Sequence, residues 1–371
     1  MGRDVEYCSM FFQEVVIQRD VPYLAPDRKE KLDLYLPPGR PTSAPGIVII
    51  HGGGWTGGQK AAGRELNIGT TLAKAGYICA SIDYRLDKEG RWPTNVHDCK
   101  NAVRFLRKNA AKYGINPDRI GVIGGSAGGH LALMLGVTDG IPELEPSAPY
   151  PGTSSRVHAV IDLYGISDIR TRKQISPQGT PLEKRVPSDA IFGDKAQISE
   201  ADRALASPMM HLTRKGIPPI LILHGDRDTT VDIDQSRDLD KRLTELNLEH
   251  QLIIVPGAGH TFDLQTWNKK PLAMDLRPVV VGFFDKWLRG DTNVTGSGFA
   301  CCPRGSDARS LRDGKREDYG KGRSVLGRGG RCDSWHFQRV RSGFGSGTVR
   351  GFGDLSFPEA HSSFGSHEQR H

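Results

Sequence analysis

The chain has 371 residues, of which 37% are hydrophobic and 25% are charged, and this balance is typical of a soluble globular protein. No run of about 18 apolar residues occurs, which excludes a membrane-spanning helix. The formal net charge is +7, but residues 296–371 hold 13 Lys and Arg against 8 Asp and Glu, so the other residues carry only +2. A nearly neutral main part does not support an extended basic surface for nucleic acid there.

The cysteines and the first residues give expectations about metals and location. The six cysteines are scattered, without a C-x-x-C pair or a histidine at zinc-finger spacing, so we predict no metal site and no cofactor. Residues 1–7 contain acidic side chains where a signal peptide needs an uninterrupted apolar core. We therefore expect a cytoplasmic protein.

Strand and helix patterns alternate along most of the chain. Two stretches of alternating polarity, 15–23 and 32–36, predict antiparallel strands, and the continuous apolar run 46–50 predicts a strand buried on both faces of a parallel sheet. The other predicted strands are 77–82, 119–123, 157–163, 218–224 and 252–255, and the predicted helices are 63–75, 93–112, 233–246 and a last one that includes 279–288. Regular alternation of this kind indicates a mainly parallel sheet built of right-handed β-α-β units.

Residues 168–212 lose this regularity, and we interpret them as a small cap over the carboxyl edge of the sheet. Prolines interrupt the segment, and its basic side chains are Arg170, Arg172, Lys173, Lys184 and Arg185. We interpret these side chains as a solvated face, with substrate contact as the alternative.

The motif Gly124-x-Ser126-x-Gly128 lies between the strand predicted over 119–123 and an apolar helical stretch. This is the form of a nucleophile elbow, in which a tight turn presents a serine hydroxyl in front of a helix N-terminus. Glycines are needed two residues before and after the serine because the backbone there packs too closely for a side chain. Taken alone, the motif could also be a Gly/Ser loop.

A second motif, His51-Gly-Gly-Gly-Trp55, follows the buried strand 46–50. Three glycines let backbone N–H groups point at a ligand without obstruction by side chains, as an oxyanion hole requires. We predict that the donors are the N–H groups of Gly53 and Gly54, joined by that of Ala127 after the serine. A flexible loop or a phosphate cradle is the alternative, but no Lys-Ser/Thr and no G-x-G-x-x-G follows. We expect His51 to brace the loop.

A serine nucleophile needs a base, and the base needs an acid that orients it. In sheets of this kind the three residues follow successive strands in the order Ser, Asp, His, and this chain offers Ser126, Asp228 and His260 in that order. Asp226 is the alternative acid, and Asp232 is expected to cap the helix that begins at Ile233.

Taken together, these motifs resemble the α/β-hydrolase superfamily, over about residues 12–291. The motifs that carry the resemblance are His51-Gly-Gly-Gly-Trp55, Asp83-Tyr84-Arg85-Leu86, Gly124-Gly-Ser126-Ala-Gly128-Gly129, His224-Gly-x-x-Asp228-x-x-Val231 and Gly259-His260. Within the superfamily the chain looks like the carboxylesterases of the hormone-sensitive-lipase type and the related acetyl-xylan and feruloyl esterase-like proteins.

The resemblance implies the fold and a set of roles. The fold is an α/β-hydrolase fold, a mostly parallel central sheet with helices on both faces and a small cap. The roles are Ser126 as nucleophile, Asp228 as acid and His260 as base, with Gly53, Gly54 and Ala127 as oxyanion donors. Two positions depart from the pattern: Gly125 stands where many hormone-sensitive-lipase relatives have Asp, and Asp232 stands where relatives often have Pro. The first departure favours the acetyl and feruloyl esterase-like branch.

The short cap predicts an open, modest acyl pocket, with Trp55 and Phe262 as substrate-binding residues. We therefore expect a serine hydrolase that cleaves small-molecule carboxylic esters, either short-chain acyl esters or acylated carbohydrates and phenols. A peptidase or amidase of the same fold is the nearest alternative. The other alternative is a non-catalytic hydrolase-like binding protein. Such proteins commonly lack a triad member, and none is missing from this sequence.

Residues 296–371 differ from the rest of the chain, with 15 glycines, 11 serines and 11 arginines in 76 residues. Without apolar periodicity, such a segment cannot bury enough surface to offset its ordering entropy, and we predict a disordered tail. Its arginine-glycine stretches resemble faintly those that bind RNA. A solvated extension without a nucleic-acid partner is the favoured interpretation. No membrane partner is expected, and the sequence does not indicate an oligomeric state.

Overall fold

The computed structural model describes residues 14–39, 41–86, 90–175, 181–185, 188–195 and 197–290. The tail predicted over 296–371 lies outside the described residues, as do both ends of the predicted catalytic domain, 12–13 and 291. Of the helices in the described ranges, none is long and apolar enough to cross a bilayer.

One large sheet of eight strands organises these residues, and two small two-stranded sheets accompany it. The strands in chain order are β1 (Val16–Pro22), β2 (Lys31–Leu36), β3 (Ala44–Ile50), β4 (Ile78–Ile82), β5 (Ile115–Gly125), β6 (Ala159–Leu163), β7 (Lys173–Ile175), β8 (Pro181–Arg185), β9 (Ile220–Gly225), β10 (His250–Val255), β11 (Thr266–Trp267) and β12 (Lys270–Pro271). The helices are α1 (Gly63–Lys74), α2 (Thr94–Lys108), α3 (Ala110–Tyr113), α4 (Ala127–Val137), α5 (Glu200–Leu205), α6 (Asp234–Glu245) and α7 (Arg277–Phe284).

The large sheet has the strand order β1-β2-β4-β3-β5-β6-β9-β10. Strand β2 pairs antiparallel with both β1 and β4, and all pairs from β4 to β10 are parallel. The predicted mostly parallel sheet with helices is therefore confirmed.

Strand β3 shows why the central strands read as continuous apolar runs. All of its residues are buried. Val48 and Ile50 join the core on one face of the sheet, together with residues of α2 and α4, whereas Ile47 and Ile49 join the core on the other face with residues of α1 and α7. A strand that is covered on both faces has no position for a polar side chain, so the alternation typical of a half-exposed strand is lost.

Two local predictions were wrong. The helix expected over 93–112 is divided at Asn109 into α2 and the single turn α3, after which Gly114 adopts a left-handed conformation. The side chain of Asp232 does not cap a helix, because α6 begins at Asp234 without a side-chain cap. Instead, an Asp232 carboxylate oxygen accepts a hydrogen bond of 2.8 Å from the N–H of Lys173 and links the segment after β9 to the start of β7.

The segment 168–212 lies between β6 and β9 and contains the β7–β8 hairpin, the short helix α5 and two 3₁₀ turns, Asp189–Phe192 and Pro208–His211. The sequence did not predict the hairpin, because two strands this short carry too little alternation to be recognised. Arg172, directly before the hairpin, donates a hydrogen bond to the carbonyl of Thr230 in the loop after β9.

Candidate active site

Ser126 lies between β5 and α4, in a conformation that side chains rarely adopt. Its φ is 58° and its ψ is −123°, and its N–H donates to the carbonyl of Leu163 at the end of β6 over 2.9 Å. Such a backbone costs on the order of 1–3 kcal/mol and persists only where the surrounding structure enforces it.

The glycines around Ser126 allow this turn. A Cβ on Gly124 would lie 2.2 Å from the carbonyl oxygen of Gly128, and a Cβ on Gly128 would lie 2.2 Å from the carbonyl oxygen of Ile50. These obstacles are backbone atoms, which cannot rotate away. The sequence motif is therefore required by close packing of the turn against β3, as the elbow interpretation predicted.

Ser126, His260 and Asp228 form a continuous chain of hydrogen bonds. The Nε2 atom of His260 lies 2.8 Å from Oγ of Ser126, and its Nδ1 lies 2.7 Å from Oδ2 of Asp228. The network assigns a proton to Nδ1, which donates to the carboxylate, and leaves Nε2 to accept from the serine hydroxyl. The structure thus brings together the three residues predicted for the triad, from the loops after β5, β9 and β10.

Asp228 is buried and strongly held. Burial alone would raise the pKa of its carboxyl group, but hydrogen bonds with His224 and His260 hold that pKa well below the usual range. Its Oδ1 accepts from the N–H groups of Thr230 and Val231 at 2.8 and 2.9 Å. The alternative acid, Asp226, is exposed and accepts from the N–H of Gly257 instead, so it does not contact the imidazole.

His224 also contacts the carboxylate of Asp228, a contact that sequence reasoning did not identify. This fully buried ring places Nε2 at 3.4 Å from Oδ2 of Asp228 and at 3.2 Å from the carbonyl of Val231, while Nδ1 lies 2.7 Å from the hydroxyl of Ser236. The residue was visible in the motif His224-Gly-x-x-Asp228, but the motif alone gives no reason to separate a core histidine from a supporting one.

Backbone N–H groups form a candidate oxyanion hole next to Ser126. Gly53 and Gly54 have φ values of 119° and 62°, which suit glycine, and with Ala127 they line the cavity at the serine. Within the described part of the chain, the N–H groups of these three residues have no backbone acceptor outside helices and strands. His51 holds the loop, since its ring stacks on Tyr84 at 4.4 Å between centroids and the Tyr84 hydroxyl donates to the His51 carbonyl.

The cavity in front of Ser126 has a volume of about 430 Å³, within the usual range for a small-molecule site. It is lined by the glycine loop, the elbow, the start of α1 and the loops after β6, β9 and β10. Besides Ser126 and His260, the side chains that line it include Trp55, Arg64, Glu65, Ile166, Arg172, Thr230 and Val231. A larger concavity of about 570 Å³ beside β10 and α7 contains none of these residues and lies away from the serine.

Of the two residues predicted to bind substrate, one lines the cavity and the other does not. Trp55 lines the cavity, and its ring meets His130 edge-on at 5.2 Å. Phe262 is fully buried and is absent from the cavity wall, so the expected substrate contact does not fit its position. The preceding residue, Thr261, has a φ of 66° and lines the cavity, and this turn of the backbone directs the next side chain into the core.

Tyr164 and Arg64 form a second support that the sequence did not reveal. The Tyr164 ring meets the His260 ring at 4.9 Å between centroids, and its hydroxyl donates to the carbonyl of Phe262 and accepts from Arg64. Burial raises the pKa of Tyr164 to about 12, so the phenol stays protonated and keeps this hydrogen bond. Glu65 in turn accepts from Arg64 at 2.8 Å.

The model of the BD-FAE family matches residues 32–243, which is more than half of the chain. The chain belongs to the BD-FAE family. The matched segment includes Ser126 and Asp228, whereas His260 lies beyond it.

Among the described residues, no group of three or more His, Cys, Asp or Glu side chains is placed to hold a metal ion.

Proteins similar to this chain include esterases. Esterase LipC of Mycobacterium tuberculosis is 32% identical over 249 residues, which are 64% of this chain and 58% of LipC. The chain therefore spans little more than half the length of this relative. The structure of a truncated carbohydrate esterase from gut microbiota superposes with a TM-score of 0.63 at 31% identity, covering 74% of this chain and 96% of that one.

A third comparison includes a bound acid. The butyrate-bound structure of the esterase Est2 from the planctomycete Thermogutta terrifontis superposes with a TM-score of 0.54 at 27% identity, covering 68% of this chain and 86% of the esterase. These similarities confirm the α/β-hydrolase fold and the resemblance to esterases of that superfamily.

Proposed function

We propose that this BD-FAE protein is a serine hydrolase that cleaves carboxylic esters through an acyl-enzyme on Ser126. The observation that carries the proposal is the hydrogen-bond chain from Ser126 through His260 to buried Asp228, at a cavity where three backbone N–H groups are available. Esterase relatives support the same reaction class.

The first half of the proposed reaction forms the acyl-enzyme. Oγ of Ser126 bonds to the ester carbonyl carbon while its proton passes to Nε2 of His260, and Asp228 stabilises the resulting imidazolium. The carbonyl oxygen becomes negative and accepts hydrogen bonds from the N–H groups of Gly53, Gly54 and Ala127. The bond to the leaving oxygen then breaks, and that oxygen takes the proton from His260.

The second half of the proposed reaction regenerates the free enzyme. A water molecule gives a proton to His260 and bonds to the acyl carbon, the bond to Oγ of Ser126 breaks, and Oγ recovers the proton. The products are a carboxylic acid and an alcohol, and no metal or cofactor takes part in this scheme.

We further propose short acyl groups or acylated carbohydrates and phenols as substrates. The cavity of about 430 Å³ suits a small ester, and the two solved structures compared above are a carbohydrate esterase and an esterase with butyrate bound. A rate that falls sharply from p-nitrophenyl butyrate to the octanoate would support this size limit. Equal rates on p-nitrophenyl palmitate would overturn it.

Covalent labelling tests the role of Ser126 independently of turnover. A fluorophosphonate probe should add its phosphonyl group to the peptide that contains Ser126, because the activated hydroxyl displaces fluoride from phosphorus. Ser126→Ala should show no label by mass spectrometry, and His260→Ala should label far more slowly. Labelling at another serine, or equal labelling of Ser126→Ala, would contradict the proposed nucleophile.

A further inference from the structure

The cavity in front of Ser126 holds two arginines in different electrostatic settings. Arg64 forms an ion pair with Glu65, which accepts hydrogen bonds from it and lines the same cavity. Arg172 also lines the cavity, but no described carboxylate lies within 4.0 Å of its guanidinium. Among the described residues, Arg172 is therefore a cation of the cavity wall without a carboxylate partner.

The surroundings of Arg172 fix its position without removing its charge. Its Nη2 donates to the carbonyl of Thr230, and its Nη1 donates to the hydroxyl of Ser188 over 3.2 Å. Both acceptors are neutral, and Nε is buried without an acceptor among the described residues. A guanidinium has five N–H donors; two of them make these bonds and Nε–H is buried, so one N–H on each Nη atom remains for a ligand.

Asp232 is a buried carboxyl group that interacts weakly with the charge of Arg172. Burial raises the pKa of Asp232, with Arg172 only a minor opposing influence, and its Oδ2 accepts from the backbone of Lys173. Among the described residues, no ion pair within 4.0 Å joins the Asp232 carboxylate to the Arg172 guanidinium, so Asp232 is not a hydrogen-bonded counter-ion of Arg172.

The neighbouring basic residues of the same segment differ from Arg172. Arg170 pairs with Asp168 at 2.7 Å, and Lys173 pairs with Asp234 at 2.9 Å. Neither lines the cavity. Of these three basic cap residues, the one at the cavity is the one without a carboxylate partner among the described residues, and this is the arrangement expected of a residue that binds an anionic ligand.

We propose that Arg172 binds a carboxylate group of the substrate, so that the natural ester carries a negative charge in addition to its ester bond. The charge belongs either to the acyl part, as in the monoester of a dicarboxylic acid, or to the alcohol part, as in an acylated hydroxy acid. The inference rests on the proposed esterase function and specifies its substrate class. Arg172 donates to the carbonyl of Thr230, whose N–H donates to Asp228, and Arg172 and Ser126 line the same cavity, so an anion bound to Arg172 would lie in the cavity of the proposed nucleophile.

Two matched pairs of esters test this inference. p-Nitrophenyl hydrogen glutarate and p-nitrophenyl pentanoate have acyl chains of equal length, with and without a charge. 4-Acetoxybenzoate and 4-acetoxybenzamide differ in the same way on the alcohol side. For each pair we would measure the ratio of kcat/KM, anionic over neutral, after subtracting the rate with Ser126→Ala as the blank.

In the wild type, at least one of the two ratios should exceed its value in Arg172→Gln by about 10- to 100-fold, the range expected for a lost charge-assisted hydrogen bond. The loss should appear mainly in KM, and Arg172→Lys should restore part of it. Arg170→Gln is the matched control, since it removes a cation of the same segment that faces Asp168, and its ratios should stay within about twofold of the wild type.

Three results would overturn the inference. If Arg172→Gln leaves both ratios unchanged, or lowers the anionic and the neutral rates equally, Arg172 has no role in charge recognition. If Arg170→Gln changes the ratios as much as Arg172→Gln, the effect comes from the overall positive charge of the cap segment and not from binding by Arg172. If the wild type is no faster than Ser126→Ala on all four esters, the proposed esterase function fails, and the inference fails with it.

Discussion

Replacing Asp228 by asparagine should inactivate the enzyme through the tautomer of His260. Oδ1 of Asp228 accepts two backbone hydrogen bonds, from Thr230 and Val231, and an amide oxygen would keep that position. The amide NH₂ would then face Nδ1 of His260, 2.7 Å from the present carboxylate oxygen. Because this group donates, the proton of the imidazole moves to Nε2, which can no longer accept from Ser126.

The magnitude follows from the charge that is lost. A carboxylate and an imidazolium about 4 Å apart attract each other by roughly 4 kcal/mol at an effective dielectric constant of 20. That energy corresponds to about 10³-fold in kcat, and the wrong tautomer adds to it, so we expect a loss of about 10³- to 10⁴-fold. KM should change little, since Asp228 is buried and does not line the cavity.

The assay is kcat and KM for p-nitrophenyl acetate, with the melting temperature as a measure of folding. Asp226→Asn is the matched control, because Asp226 lies in the same loop but accepts from Gly257 rather than from the imidazole. It should retain kcat within about threefold, as expected for an exposed group without a charged partner. A folded Asp228→Asn variant with near wild-type kcat would refute the reasoning, as would a larger loss in Asp226→Asn.

Three further predictions concern the support of the site and the core. His224→Gln should lower kcat by about tenfold with KM unchanged, roughly the free energy of one hydrogen bond, and an unaltered kcat for p-nitrophenyl butyrate would argue against its supporting role. Gly128→Ala should lower the melting temperature by at least about 5 °C, because its Cβ would meet the Ile50 carbonyl at 2.2 Å, whereas Gly63→Ala, with open space around it, serves as the neutral control. Burial raises the pKa of Asp162 from 3.8 to about 7, so the folded state binds the extra proton and stability falls as pH rises between these values. Asp162→Asn should therefore be stabilised at pH 8 relative to the wild type, by up to about 4 kcal/mol, and equal pH dependence of the two melting temperatures would contradict this.

The sequence predicted the central sheet well, because burial on both faces leaves a strong local signal. Strand β3 and the elbow at Ser126 are examples, since their composition follows from what packs against them. The hairpin β7–β8 left no comparable signal, because its pairing is decided by tertiary context. Likewise, nothing in the sequence around Asn109 distinguishes one long helix from two.

Sequence order predicted Ser126 and His260 as partners, which the structure places within hydrogen-bond distance of each other, but it did not place every neighbour. Phe262 stands two residues after His260, and only the backbone turn at Thr261 shows that it faces the core. In the sequence, nothing distinguishes Arg170 from Arg172, because both are arginines of one basic segment. Their different roles depend on which side chain finds a carboxylate, and that is decided by folded geometry.

The most direct test of the account is the hydrolysis of p-nitrophenyl acetate and butyrate by the wild type and Ser126→Ala, with Ser147→Ala, a change at an exposed serine, as the control. We expect an active wild type, an equally active Ser147→Ala variant, and a loss of about 10⁴-fold or more in folded Ser126→Ala. An inactive wild type, or a folded Ser126→Ala variant that keeps its activity, would contradict it.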